Sequence, residues 1–169
     1  MDREKTNALN PLMINTAFAV LRFLFPIAGL AYLAIESREI FTVRQLSNLT
    51  LFFALFMIAN FQMSTSRALL RTNKRREGIR AAQIAGIMFM ATLFAALDAA
   101  LDAFFSQYNL SLMGIIGYLL FTFGWLCSST AVIFAVISMH RFIDILRTFV
   151  LSSISELEAM PANTNYSQR

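Results

Sequence analysis

Residues Leu112–Met139, LMGIIGYLLFTFGWLCSSTAVIFAVISM, run for 28 positions without a charged side chain. About 20 apolar residues at 1.5 Å of rise each cross the roughly 30 Å hydrocarbon core of a bilayer, so a run of this length is read as a transmembrane helix. A helix apolar on every side needs lipid or the core of a large protein around it. Working outward, three more stretches qualify, at about 12–35, 43–63 and 81–105. Four such runs within 169 residues leave little of this sequence outside them. Its composition agrees: 57% of residues are hydrophobic, with a mean hydropathy of +0.61, against about 45–50% apolar in soluble domains.

The expected fold is therefore an all-α integral membrane protein, a four-transmembrane-helix bundle over 12–139 with the spans just given and the fourth at 112–139. Residues 1–11 form an N-terminal segment, 140–160 a cytoplasmic helical extension and 161–169 a flexible tail after Pro161. Asn10-Pro11 opens the first span, with Asn suited to capping and Pro to the first turn. That span is longer than a signal-peptide core and lacks a small-x-small cleavage site, so it is expected to be retained. Thr42-Val43-Arg44-Gln45 reads as a capping box for the second span. A polar hinge at Thr72-Asn73-Lys74 precedes the third, with Gly78 a candidate break.

Orientation follows from the basic residues. The connection between spans two and three holds Arg67, Arg71, Lys74, Arg75, Arg76 and Arg80, whereas Ser106–Leu110, between spans three and four, holds none. Arg3 and Lys5 at the N-terminus and Arg141 and Arg147 after span four outweigh the Arg38 and Arg44 of the first loop, which Glu36 and Glu39 accompany. Positive residues stay inside, which puts both termini and the middle connection in the cytoplasm, of a bacterial inner membrane by expectation. The net charge of +4 is thus topological, and no nucleic-acid contact is expected.

Apart from Arg44 at the outer edge of span two, three charged residues fall within spans. Arg22 in span one costs about 2.5–3.5 kcal/mol on insertion scales unless it meets a partner, water or a pore; the alternative is snorkelling to the headgroups. Asp98 and Asp102 lie four apart and hence on one face of span three. They fit a cation entrance or a proton site, or else an interfacial position paired with Arg38 or Arg44. A direct Arg22–Asp98 pair is disfavoured by depth. Gly29, Ala82, Gly86, Gly114, Gly117 and Gly124 have the spacing that lets helix backbones approach. Asn60, Gln62, Ser128, Ser129 and Thr130 are candidates for hydrogen bonds between helices, and Phe52, Phe53 and Phe56 for packing, lipid contact or a hydrophobic gate.

The extension keeps helical periodicity, with apolar Phe142, Ile143, Leu146, Phe149, Val150, Ile154 and Leu157. This stripe needs cover from the middle hairpin, another subunit, a soluble partner or the lipid surface. Phe142, Leu146, Phe149 and Leu157, with the basic Arg71, Lys74, Arg75 and Arg76, make a candidate docking face for a cytoplasmic protein. With His140 the sole histidine and Cys127 the sole cysteine, paired haem ligands, HExxH zinc sites and disulfides within the chain are excluded. No phosphate loop, dinucleotide fingerprint or Ser–His–Asp pattern is present, so no cofactor and no enzymatic activity are expected.

Span two runs into Met63-Ser64-Thr65-Ser66-Arg67, and Lys74-Arg75-Arg76-Glu77 opens the way to a third span, an outer turn and a fourth span with a helical tail. In this layout, which covers most of the chain, the protein resembles small four-helix membrane proteins of bacterial antiphage systems, such as KwaA of Kiwa and RexB of lambdoid phage exclusion. The resemblance implies an ion-conducting membrane effector or an oligomeric membrane sensor that recruits a cytoplasmic partner. The functional expectation is accordingly a non-enzymatic, homo-oligomeric anchor or sensor in the bilayer that recruits a soluble partner. An oligomeric ion channel or depolarising pore is the alternative, and a small transporter the third.

Overall fold

The structure, a computed structural model, describes residues 11–36, 41–72, 74–107 and 114–159. They form four helices: α1 (Pro11–Glu36), α2 (Phe41–Arg71), α3 (Arg75–Gln107) and α4 (Gly114–Ala159). All four are long and apolar enough to cross a membrane. Helix α1 begins at Pro11, as the sequence suggests, and runs through Pro26, whose missing N–H leaves the carbonyl of Arg22 without its helical donor. Such breaks are tolerated in spanning helices, where neighbouring groups re-satisfy the backbone.

Two boundaries depart from expectation. Helix α2 starts at Phe41, so Thr42 lies inside it rather than at its cap. Gly78 is not a break but sits in the first turn of α3. A Cβ at this position would stand 2.7 Å from Leu70 Cγ and 3.1 Å from the Leu70 backbone nitrogen. Glycine is needed there because the two hairpin helices meet at backbone distance. Ser66 Oγ donates to the Gly78 carbonyl at 2.7 Å, and Lys74 N closes the end of α2 on the Leu69 carbonyl at 3.2 Å. Asn73 of the expected hinge lies outside the described residues.

Helix α3 is the centre of the bundle, packed against α2 on one side and α4 on the other. Its inner stripe is made of Ala81, Ala85, Ala91 and Ala95, small side chains that let neighbouring helices come close, with Met88 filling the space between them. Leu55 and Ala59 of α2 and Ala131 of α4 complete this core, which Phe89, Phe94 and Phe134 wall. Phe52 packs against it, whereas Phe53 and Phe56 face outward. Asp98 and Asp102 continue the same inner stripe of α3 and are fully covered by the chain.

Helix α1 packs chiefly on α4, antiparallel, and leaves most of its apolar surface open. Gly29 faces Val132, whose methyl would lie 2.7 Å from a Cβ there. Further along, Asn15 accepts a hydrogen bond from Arg147 Nε at 2.8 Å. Helix α4 is unbroken over 46 residues, about 69 Å at 1.5 Å per residue, and starts at Gly114, whose φ of +51° lies in the left-handed region that glycine favours. Residues 144–147 of the expected cytoplasmic extension thus lie beside residues 15–22, which the sequence places inside span one.

Candidate functional site

Polar groups gather at several levels along the helices. At the end far from the α2–α3 hairpin, the two carboxylates tie all four helices together. Tyr32 of α1 donates its hydroxyl to Asn48 Oδ1 of α2, and Asn48 Nδ2 donates to Asp102 Oδ2 of α3 at 2.5 Å. One turn away, Ser128 of α4 donates to Asp98 Oδ2. Asp98, Asp102, Asn48 and Ser128 are all buried. In a low-dielectric interior a buried carboxylate is costly without such donors, so the chain of hydrogen bonds explains how two acids survive on the innermost face of α3. Arg38 and the side chain of Arg44, the sequence's alternative partners for these acids, lie outside what the structure describes.

A second layer crosses the bundle nearer the hairpin. Ser138 Oγ lies 3.1 Å from Gln62 Oε1 and 3.0 Å from the Ile84 carbonyl, joining α4 to α2 and α3. Of the other polar residues singled out in the sequence, Asn60 and Thr130 bond carbonyls of their own helices and tie no helices together. Gly117 and Gly124 are buried and Ala82 half-buried, but Gly86 is exposed, with no atom of the described residues within 4 Å of a would-be Cβ.

Arg22 is neither beside Asp98 nor alone. Its guanidinium forms an ion pair with Asp144 on α4, Arg22 being 27% and Asp144 51% exposed. With Arg147–Asn15 this makes two polar clasps that hold α1 to the C-terminal half of α4.

The basic end is assembled from the α2–α3 hairpin and the last turns of α4. Lys74 Nζ donates to Ser152 Oγ at 3.0 Å and stands 4.8 Å above the Phe149 ring, a cation–π contact that locks hairpin to extension. Arg71, Arg75 and Arg76 remain exposed, as do Arg67 and Arg80. Phe142 is 1% exposed and meets Phe61 edge-on at 6.0 Å, so this ring is interior packing within the chain. Leu146 and Phe149 are half-buried. Leu157 falls within α4, with its side chain outside the described set. The apolar stripe of the extension is therefore covered in large part by the hairpin and by α1.

Sequence reasoning missed Tyr32, Asn48, Asp144 and Ser152. Asn48 carried a usable signal, an amide in an apolar run at the depth expected for Asp102. Asp144 is the first acidic residue after span four, and hence the nearest counter-charge on that helix for Arg22. Among the described residues no three His, Cys, Asp or Glu side chains come together, and the arrangement offers hydrogen bonds and positive charge. No known protein family, curated protein or solved structure matches the chain.

Proposed function

We propose that this chain is a non-enzymatic membrane subunit that anchors or senses in a bacterial inner membrane, with both termini cytoplasmic, and recruits a soluble partner to its basic end. One observation carries this: Lys74 fastens the hairpin to α4 through Ser152 and Phe149, while Arg67, Arg71, Arg75, Arg76 and Arg80 stay exposed on the same small platform. Fixed positive charge with outward guanidinium groups suits an acidic protein surface, since Arg forks bind carboxylates bidentately. A homo-oligomer and a role in antiphage defence belong to this proposal through the resemblance in layout.

Ion conduction is the weaker alternative. Arg22 has its counter-charge in Asp144, and Asp98 and Asp102 accept hydrogen bonds from Ser128 and Asn48 inside the bundle, an arrangement suited to holding helices. The discriminating experiment is purification of the tagged full chain from its native host in mild detergent, followed by native mass spectrometry. A soluble subunit in fixed stoichiometry, lost when Arg67 and Arg71 are changed to Glu, is the expected result. A homo-oligomer alone under every condition, with conductance in planar bilayers, would replace recruitment by the channel.

A further inference from the structure

Three hollows follow one another along α4 toward the basic end. The first, about 350 Å³, lies between α1, α2 and α4, with Phe18, Phe25, Met57, Phe61, Met139 and Leu146 in its walls and no polar surface. The second, about 110 Å³, is bounded by Ala68 and Leu69 of α2 and by Leu146 and Phe149 of α4 and is almost wholly apolar. The third, about 450 Å³, is lined by Lys74, Arg75, Arg76, Phe149 and Ser152, with Glu77 as the acid that offsets one of its three positive charges. Leu146 borders the first two and Phe149 the last two, so apolar surface passes into basic surface along one helix face.

From Met139 to Ser152 this path covers about 20 Å at 1.5 Å per residue, the depth of one leaflet with its headgroups, about half of 40–45 Å. The level agrees as well. Asn15 meets Arg147 and Arg22 meets Asp144, so the exposed apolar start of α1, at Met13, lies near the basic hollow. Lys74, Arg75 and Arg76 thus stand where the apolar surface of the bundle ends, at headgroup depth.

We infer that this α2–α4 crevice binds one anionic phospholipid of the leaflet facing the basic end, its acyl chain in the apolar hollows and its phosphate on Lys74, Arg75 and Arg76. Charge complementarity selects the headgroup, as basic pockets between helices do on the cytoplasmic side. A chain of methylenes matches hollows whose hydroxyls, those of Thr65 and Thr72, already donate to the carbonyls of Phe61 and Leu69, whereas a peptide would bring unpaired amides into them. The inference rests on the bilayer part of the proposed function and is independent of any recruited protein.

The test is native mass spectrometry of the purified full chain, titrated with phosphatidylglycerol or phosphatidylcholine of identical acyl chains, with glycerol phosphate as the headgroup alone. One phosphatidylglycerol per chain is expected to survive at collision energies that strip phosphatidylcholine. Arg75→Gln with Arg76→Gln is expected to weaken its retention about tenfold or more, and Ala68→Phe, which fills the middle hollow, to lower retention of either lipid. Arg67→Gln with Arg80→Gln removes equal charge outside the groove and leaves retention unchanged. Equal retention of both lipids, or no effect of the Arg75/Arg76 change in a variant whose circular dichroism is intact, overturns the inference. Displacement of phosphatidylglycerol by an equal concentration of glycerol phosphate overturns it too, by showing a phosphate site without an acyl crevice.

Discussion

Arg22 and Asp144 are joined across α1 and α4 as an ion pair, although one belongs to an apolar span and the other to a segment with the composition of a soluble helix. The pair answers the cost of a guanidinium within the apolar run and fixes the register in which α1 lies on α4. Removing Asp144 alone is therefore expected to do more harm than removing both charges.

Asp144→Asn is expected to lower stability in detergent by about 1–2 kcal/mol, since it strands a partly covered cation, while Arg22→Leu with Asp144→Leu costs less. Thermal unfolding followed by intrinsic fluorescence would show it as a shift of about 2–8 °C. The exchanged pair, Arg22→Asp with Asp144→Arg, is expected to recover part of the loss. If Arg22→Leu and Asp144→Leu, made singly, add up to the effect of the double change, the pair is not coupled.

The far-end hydrogen-bond chain gives an ordering. Tyr32→Phe removes one donor from Asn48, at about 0.6 kcal/mol by the average of hydrogen bonds between membrane helices. Asn48→Ala takes the donor from buried Asp102 as well and is expected to cost about 1–3 kcal/mol. Equal, negligible effects in the same unfolding assay would show that α1 is not held at this end.

Two glycines are expected to respond in opposite directions. Gly78→Ala places a methyl 2.7 Å from Leu70 Cγ and is expected to destabilise the hairpin, detectable as faster proteolysis after the arginines at its tip. Gly86→Ala meets nothing within 4 Å and is expected to gain up to about 1 kcal/mol from helix propensity. A loss at Gly86 would place that face against another copy of the chain.

Expression of the chain is expected to leave the membrane potential intact, and Asp98→Asn to change stability and not ion flux. A potential-sensitive dye in intact cells decides this: depolarisation by the parent chain that Asp98→Asn abolishes would return the buried carboxylates to a conduction path.

The four helices were legible because a charge-free run such as Leu112–Met139 has the length and apolarity of a spanning helix, and α1 begins at the Pro11 that announces it. Asp98 and Asp102 were recognisable as exceptional by composition alone. Their partners were not, since joining Asn48 to Asp102 requires the register of α2 on α3, a long-range property that local periodicity does not encode. The same holds for Phe142 and Phe149. An apolar stripe shows that cover exists, but the identity of that cover, here the hairpin and α1, depends on where α4 passes the other helices.

Ser128, which holds Asp98, and Ser152, which holds Lys74, stand on the same unbroken helix. The 24 residues that separate them span about 36 Å of rod, and between them α4 contains neither glycine nor proline at which to bend. A tilt of only about 5° pivoting at Ser128 carries Ser152 through about 3 Å, as simple leverage on that length requires. The carboxylate layer and the basic platform are thus two ends of one rod, so that a tilt of α4 about the first would displace the second.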